Sequence, residues 1–157
     1  MADNNQPLVP TGECTHVGVV VKDLEKAIDF YSKVFGWEPW WGRFMADWNP
    51  DTGVRRGKPI TFKGPRIWLK LGSVVFEVGE THGESVHTEF MESNGGGLHH
   101  LAFDVDDVED AVAKLEKVGV PLLQAGKDKN GKYSYVYMST QEATGSNIIL
   151  ELNPRGK

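Results

Sequence analysis

Two histidines and two glutamates occupy corresponding positions in a sequence that repeats itself. Shifting the chain by 84 residues places His16 on His100, and 7 of the 19 residues from His16 to Val34 are then identical to their partners. A second similarity, at a shift of 74 residues, places Glu77 on Glu151. Two imidazoles and two carboxylates suit a borderline or hard divalent ion, and the carboxylates offset its charge. The pattern predicts one metal site that draws a His and a Glu from each half.

The first half of the chain predicts a strand followed by a helix. Residues 14–21 are rich in β-branched side chains, which favour an extended strand, and this strand carries His16. Asp23 is a good N-cap, and the apolar spacing after it predicts a helix that runs to Phe35 and ends at Gly36.

The second half has the same order of elements. Residues 98–105 predict the strand that carries His100, and Asp106 or Asp107 caps the helix that follows. Two closing strands are predicted at residues 133–139 and 147–152. The predicted organisation is a flexible N-terminal tail (1–12), a first βαβββ module (13–80), a connecting helix and glycine hinge (81–96), and a second βαβββ module (97–157).

Strand alternation predicts that the four candidate ligands share one face of the sheet. Successive side chains of a strand point to opposite faces, and the apolar ones are expected to pack under the helices. That leaves His16, Glu77, His100 and Glu151 on the far face. Taken singly, each could instead be a buried histidine bound to protein groups or a glutamate paired with a base. The symmetric placement of all four favours a metal.

Three further histidines compete for a place in this site. His99 is the neighbour of His100, but alternation places it on the packed side of the strand. His82 and His87 fall in the connecting segment, where they are expected to be in solvent. The predicted ligand is therefore His100.

A predicted hairpin places one tryptophan beside the candidate ligands. Two extended stretches, 66–71 and 74–79, flank Gly72-Ser73, which is a plausible two-residue turn. In that register Trp68 is opposite Glu77, and directly opposed residues share a face with Cβ atoms roughly 5 Å apart. Trp68 is therefore predicted to line the site and to contact the substrate. A turn longer by one residue would place it on the helix side instead.

The segment from Trp37 to Trp68 contains all five tryptophans of the chain. Residues 42–66 carry six basic side chains against two acidic ones, a local charge of +4 in a chain of net charge −5. Cations pair with phosphate or carboxylate groups, and indoles cover flat or apolar groups. The functional interpretation is a lid over an anionic substrate, with Arg55, Arg56 and Lys58 as contacts. A solvated loop or a dimer contact explains the same composition.

The composition excludes several classes of protein. Of 157 residues, 39% are hydrophobic and 25% are charged, which are values of a globular chain. The negative net charge argues against a nucleic-acid partner, and no apolar run is long enough to span a membrane. The one cysteine, Cys14, cannot form an internal disulfide, which indicates a reducing compartment. The expected location is the cytoplasm.

Two motifs carry a resemblance to a known family. Residues 15–21 (THVGVVV) and 23–27 (DLEKA) open the first half, and residues 89–103 (EFMESNGGGLHHLAF) open the second. The chain resembles the vicinal oxygen chelate superfamily, which contains glyoxalase I, bleomycin-resistance proteins, extradiol dioxygenases and methylmalonyl-CoA epimerase. The second motif is similar to the epimerase branch in particular, and the resemblance spans about residues 14–153.

The resemblance implies an α+β fold in which tandem βαβββ modules form an open eight-stranded barrel, commonly as a homodimer. It implies one divalent ion per chain (Co, Zn, Ni, Mn, Fe or Mg), held by His16, Glu77, His100 and Glu151. The implied substrate is an anionic carbonyl compound or thioester that is bound through two oxygens and forms an enolate. Glu151 is the first candidate for proton transfer and Glu77 the second. The epimerase branch uses a further acid, for which Asp51 is a conceivable equivalent that does not align cleanly.

The leading hypothesis for function is a metal-dependent epimerase or isomerase that moves a proton at carbon. Glyoxalase I (lactoylglutathione lyase) is the alternative, because it uses the same His, Glu, His, Glu set. An extradiol dioxygenase is disfavoured, since Glu77 fills a position that such an oxygenase leaves without a protein ligand. Four intact ligand residues also disfavour a metal-free binding module of the bleomycin-resistance type.

Overall fold

The chain folds into one mixed β-sheet with helices packed on it. The computed structural model describes residues 6–156, and within that range no helix is long and apolar enough to cross a membrane. In chain order the elements are β1 (Cys14–Val20), α1 (Leu24–Phe35), β2 (Glu38–Trp48), β3 (Gly53–Arg55), β4 (Lys58–Pro59), β5 (Phe62–Leu71), β6 (Val74–Gly79), β7 (His82–Gly83), α2 (Val86–Asn94), β8 (Gly97–Val105), α3 (Val108–Glu116), β9 (Leu122–Lys127), β10 (Tyr133–Ser139), α4 (Gln141–Thr144) and β11 (Ile149–Pro154).

Eight of these strands form the sheet that the repeat predicts. Their order is β2-β5-β6-β1-β8-β11-β10-β9. β1 is parallel to β6 and antiparallel to β8, and β8 is parallel to β11. The sheet curls into a half-barrel, which confirms the predicted α+β fold of two βαβββ modules. The strands that carry the candidate ligands, β6, β1, β8 and β11, are therefore immediate neighbours.

Helix α1 forms where the sequence predicts it. The Asp23 carboxylate accepts a hydrogen bond from the Lys26 amide at 2.9 Å and so caps the helix. Gly36 ends it with φ 68°, a left-handed conformation that costs little only for glycine. Leu24 packs into a core cluster with side chains of β1, β5 and β6. Val34, which belongs to the predicted apolar face, is 58% exposed, so the last turn projects beyond this core.

Helix α3 supports the second module in the same way. Asp107, one of the two predicted caps, accepts a hydrogen bond from an amide in the first turn. The helix packs into a second core cluster with β8, β10 and β11, and Val9 of the N-terminal segment packs against that cluster. Part of the predicted tail (1–12) is therefore in contact with the second module. Residues 1–5 of that tail lie outside the described residues.

The long connection between β2 and β5 crosses to the other module. β3 pairs with β9, where Gly53 is opposite Gly126, and β4 pairs with β3. Trp48, at the end of β2, packs edge-on against the ring of Tyr135 with centroids 5.1 Å apart. The outer edge of β9 is thereby covered, whereas that of β2 has no strand partner among residues 6–156. The segment predicted as one module (13–80) thus contributes strands to both halves of the sheet.

Candidate metal centre

Four side chains meet at the seam between the modules. His16 of β1, Glu77 of β6, His100 of β8 and Glu151 of β11 each offer one ligand atom, and these atoms all lie within 4.8 Å of one another. His100 Nε2 is 2.8 Å from Glu151 Oε2. His16 Nε2 is 3.3 Å from the same oxygen and 3.4 Å from Glu77 Oε2. The structure thus brings together the four predicted ligands, and that they bind a metal stays a prediction.

A glycine in β1 makes room for one of these rings. Gly18 pairs with His100 across the two central strands. A Cβ added at Gly18 would lie 2.0 Å from His100 Cε1, so a larger residue would displace the imidazole. The sequence contains a signal for this role, because Gly18 lies two residues after His16 and therefore on the same face of the strand.

The buried charges of the site balance one another. Burial by itself would raise the pKa of Glu151, but the charge and hydrogen bond of His100, together with those of His16, hold that pKa well below its usual range. Burial would lower the pKa of His16, but the hydrogen bond and charge of Glu151 raise it above its ordinary value of 6.5. His16 and Glu151 therefore stabilise each other's charged forms, although both are almost closed to solvent.

Arg66 holds one oxygen of Glu77. Its Nε lies 3.2 Å from Glu77 Oε1, while Oε2 of the same carboxylate faces His16. The Arg66 side chain is 3% exposed and also donates to two backbone carbonyl oxygens. It fills space that Gly79 leaves open, since a Cβ there would lie 2.2 Å from Arg66 Cδ. This role of Arg66 was not predicted, although the hairpin register contains the signal: Arg66 precedes Trp68 by two residues and so shares its face of the strand.

A β-bulge turns His99 toward His100. Gly18 pairs with His100 but Val19 pairs with Leu98, so His99 is the extra residue of β8. Its Nδ1 lies 2.9 Å from His100 Nδ1. Burial, followed by the charge of His100, lowers the pKa of His99 to about 3. The bulge interrupts the alternation on which the prediction for His99 rests, so this ring lies beside His100, but it is packed against His87 and Phe90 of helix α2 as a buried side chain.

His87 lies in the interior, and the prediction that it is in solvent is wrong. It is 3% exposed, stacks on Phe62, and its ring centroid is 4.4 Å from that of His99. Burial lowers the pKa of His87 well below 6.5, and neither ring nitrogen has a hydrogen-bond partner in the described part of the chain. Helix α2, which carries His87, lies against β8 and β1, and this tertiary contact buries the ring. His82 is exposed, as expected.

The donor set fits a divalent metal ion. Imidazole nitrogens and carboxylate oxygens are the ligands of choice for zinc and similar ions, and the two carboxylates supply the negative charge. Groups behind the ligands also match such a site, since Arg66 bonds to Glu77 and His99 contacts the second nitrogen of His100. Partners of this kind orient ligand side chains in metal sites. The four converging residues are therefore those that would hold an ion.

A cavity of about 950 Å³ is lined by three of these four side chains, namely His16, Glu77 and Glu151. Trp68 lines it and pairs with Glu77, in the predicted hairpin register. Its ring packs edge-on against His16 with centroids 4.6 Å apart. Tyr137, opposite Glu151, occupies the equivalent position in the second module. The contact of Trp68 with a substrate stays a prediction.

The predicted cationic contacts lie elsewhere. Arg55 and Arg56, at the β3–β4 hairpin, both pair with Glu89 of α2, with N···O distances of 2.8 and 2.7 Å. Neither these residues nor Lys58 lines the cavity. Asp51, the conceivable second base, is exposed in the turn before β3 and does not line it either. The ion pairs of Arg55 and Arg56 with Glu89 connect the β3–β4 hairpin to α2. The geometry therefore does not support a contact of these arginines with a substrate.

Comparison with known proteins assigns the family. Residues 15–137 match the Glyoxalase/Bleomycin resistance protein/Dioxygenase superfamily, and the chain belongs to this superfamily. The fold and the position of the four-residue site agree with the family resemblance of the two sequence motifs. The predicted membership of this superfamily is confirmed.

Within the superfamily the chain is similar to methylmalonyl-CoA epimerases. The mitochondrial methylmalonyl-CoA epimerase of Mus musculus is 31% identical over 152 residues, which cover 94% of this chain and 76% of the relative. The ethylmalonyl-CoA/methylmalonyl-CoA epimerase of Cereibacter sphaeroides is 28% identical over 144 residues, or 89% and 97% of the two chains. The crystal structure of methylmalonyl-CoA epimerase from Mycobacterium tuberculosis has the same fold, with a TM-score of 0.61 at 22% identity over 97% of this chain and 92% of that one.

Proposed function

We propose that this protein is a divalent-metal-dependent epimerase or isomerase that acts on an acyl thioester or a related carbonyl compound, as methylmalonyl-CoA epimerase does. The observation that carries the proposal is the convergence of His16, Glu77, His100 and Glu151 within 4.8 Å beside a cavity. The similarity to mouse and bacterial epimerases supports the substrate class.

The two carboxylates are the groups that exchange the proton. A divalent ion held by the four residues would, when bound, supply Lewis-acid polarisation of the substrate carbonyl and so acidify the adjacent C–H. Glu151 and Glu77 both line the cavity, within reach of a carbon placed there. Oε1 of Glu77 is already bound by Arg66, so Glu151 is the first choice to accept a proton. Glu77 is the second group able to exchange one.

Aromatic side chains separate the reacting carbon from water. Trp68 lies against His16, and the buried Tyr137 lies against His100, with ring centroids 4.6 and 5.0 Å apart. The buried indole Nε1–H of Trp68 has no hydrogen-bond partner among the described residues.

The proposal is tested by isotope exchange. Metal-reconstituted protein is incubated with racemic methylmalonyl-CoA in deuterated water, and deuterium at the α-carbon is followed by mass spectrometry. We expect incorporation that depends on the metal and is lost in Glu151→Gln. Absence of incorporation with methylmalonyl-CoA and with other branched malonyl thioesters, in protein that holds its metal, would refute the proposal.

A glyoxalase-type isomerisation is the second candidate, favoured by the second glutamate in the donor set. Both reactions move a proton at a carbon next to a carbonyl, so the same residues would serve. The methylglyoxal–glutathione hemithioacetal is therefore assayed in parallel. Conversion of this adduct without exchange of methylmalonyl-CoA would replace the first proposal by the second. Oxygen uptake with a catechol and bound iron would exclude both.

A further inference from the structure

The cavity beside the candidate metal centre has a wall made of three aromatic rings. The rings of this aromatic wall, Trp41, Phe44 and Trp68, are in mutual contact. Phe44 stacks on Trp68 with centroids 6.1 Å apart and an angle of 20° between the planes. Trp68 in turn packs on His16, so the wall begins at a candidate ligand and extends outward along β2. A group attached next to the reacting carbon would therefore lie on these rings.

The outer part of the aromatic wall is exposed to water. Trp41 is 67% exposed and Phe44 is 36% exposed, and their neighbour Met45, which also lines the cavity, is 52% exposed. Contiguous large apolar side chains in a concave surface are typical of ligand sites, because a bound apolar group removes them from water. The wall thus offers apolar area far beyond what a methyl substituent covers.

The charges that line the cavity do not suit a phosphate group. Arg66 is the one lysine or arginine among the lining residues within 6–156, and it is 3% exposed and bound to Glu77. The remaining charged lining residues apart from the candidate ligands are acidic, Asp47 and Asp104. Phosphate recognition in proteins normally uses free cations or backbone amides. A substrate tail that bears phosphates therefore has to leave the cavity, and the substituent that lies on the aromatic wall is uncharged.

We infer that the substrate carries an aryl ring on the carbon between its two oxygen-bearing groups, so that the substrate class is an aryl-substituted 1,3-dicarbonyl acid or thioester. The inference rests on the proposed function, because it places the substrate oxygens at the four converging residues. The ring stacks on the aromatic wall while the oxygens face His16 and Glu151. The wall then determines which acyl group the enzyme accepts.

Two dicarboxylates that differ only in this substituent test the inference. Zinc-loaded protein is titrated calorimetrically with phenylmalonate and with methylmalonate. Burial of the ring predicts that phenylmalonate binds at least about tenfold more tightly. We expect Trp41→Ala and Phe44→Ala to reduce this preference to less than about threefold, because a phenyl ring reaches the outer rings of the wall and a methyl group does not.

A matched control is available on α1. Phe30 is 51% exposed and does not line this cavity, so Phe30→Ala should keep the full preference for phenylmalonate. Circular dichroism and zinc stoichiometry establish that each variant is folded and loaded. Both wall residues lie on the surface of an edge strand, so their truncation should leave the core intact.

The outcomes separate this inference from the function on which it rests. Equal affinities in zinc-loaded protein, or an unchanged preference in both wall variants, would overturn the inference and leave the proposed function in place. A clear preference for phenylmalonate, together with no deuterium exchange in any malonyl thioester, would support the inference and overturn the proposed function. Failure of the folded protein to bind zinc or another divalent ion would overturn both.

Discussion

The two modules present the same backbone frame to the candidate metal centre but surround their glutamates differently. Glu77 is opposite Trp68 and Glu151 is opposite Tyr137, each across the last hairpin of its module. Two residues earlier on the strand, the first module has Arg66 and the second has Tyr135. Glu77 is therefore paired with a guanidinium as well as with His16, whereas Glu151 is paired with His16 and His100 and with no arginine among the described residues. A duplicated fold can thus give two equivalent carboxylates different chemical roles.

The outer edges of the modules differ as well. The edge of β9 is covered by β3, which belongs to the first half of the sequence. The edge of β2 is free within residues 6–156 and carries Trp41 and Phe44 of the aromatic wall. Edge strands that expose apolar side chains are usually protected or used in binding. The first module therefore supplies the aromatic wall of the cavity, partly on that uncovered edge strand, whereas the edge of the second module is covered by β3.

The largest expected difference between the modules concerns metal affinity. Glu151→Gln should lower the affinity for Co²⁺ more than about 100-fold, since even groups behind a ligand contribute 10–100-fold. Glu77→Gln should have an effect about tenfold smaller, because Arg66 already offsets part of the charge that is lost. Titration calorimetry at pH 7.5 measures both. Equal losses would show that the arginine does not distinguish the two carboxylates.

A second difference is expected in stability. Arg66→Met should lower the free energy of unfolding by about 2 kcal/mol, because it leaves the buried Glu77 carboxylate without its cation. Tyr135→Phe, at the equivalent position, should cost about 0.5–1 kcal/mol, since its hydroxyl makes one hydrogen bond, to Gln124 at 3.2 Å. Urea denaturation of metal-free protein gives both values. A larger loss in the tyrosine variant would reverse the comparison.

The two modules are also coupled through protons. The raised pKa of His16 keeps a proton on this ring above pH 6.5, and its stabilising effect is present below 6.5 and lost as pH rises through the raised pKa. The lowered pKa of Glu151 gives stability that is present above about pH 4.5 and lost at lower pH. Between these limits the metal-free protein should be most stable.

Metal binding in that window must displace the His16 proton. We expect zinc binding at pH 6.5 to release a proton, measured by calorimetry in two buffers of different ionisation enthalpy. Glu151→Gln removes the group that raises the pKa of His16, so it should release less. The same proton release in this variant would mean that another group provides the proton.

The smallest expected effect is at the β3–β4 hairpin. Arg56→Gln breaks a half-exposed ion pair with Glu89 and should change the free energy of unfolding by less than about 1 kcal/mol. It should alter the affinity for dicarboxylates by less than about twofold, because Arg56 does not line the cavity. A tenfold loss of dicarboxylate affinity would restore the sequence-based assignment of this residue to substrate binding.

Local sequence patterns predicted much of the frame. The caps at Asp23 and Asp107 and the register that sets Trp68 opposite Glu77 depend on residues close in the chain. Their physical basis is short-range: a cap needs a side chain three residues from an amide, and a two-residue turn fixes the pairing of its strands. The repeat extended this local information to the whole sheet, since it required both halves to fold alike.

Other features of the site were decided only by tertiary structure. The bulge at His99, the burial of His87 and the pairing of β3 with β9 each depend on contacts between segments far apart in sequence. Strand alternation assumes an uninterrupted ladder, so one extra residue is enough to reverse the direction of a side chain. The positive charge of residues 42–66 was visible in the sequence, but its partners were not. Arg56 is neutralised by a glutamate 33 residues away, whereas Arg66 reaches the candidate metal centre, because charge acts through distance in space and not along the chain.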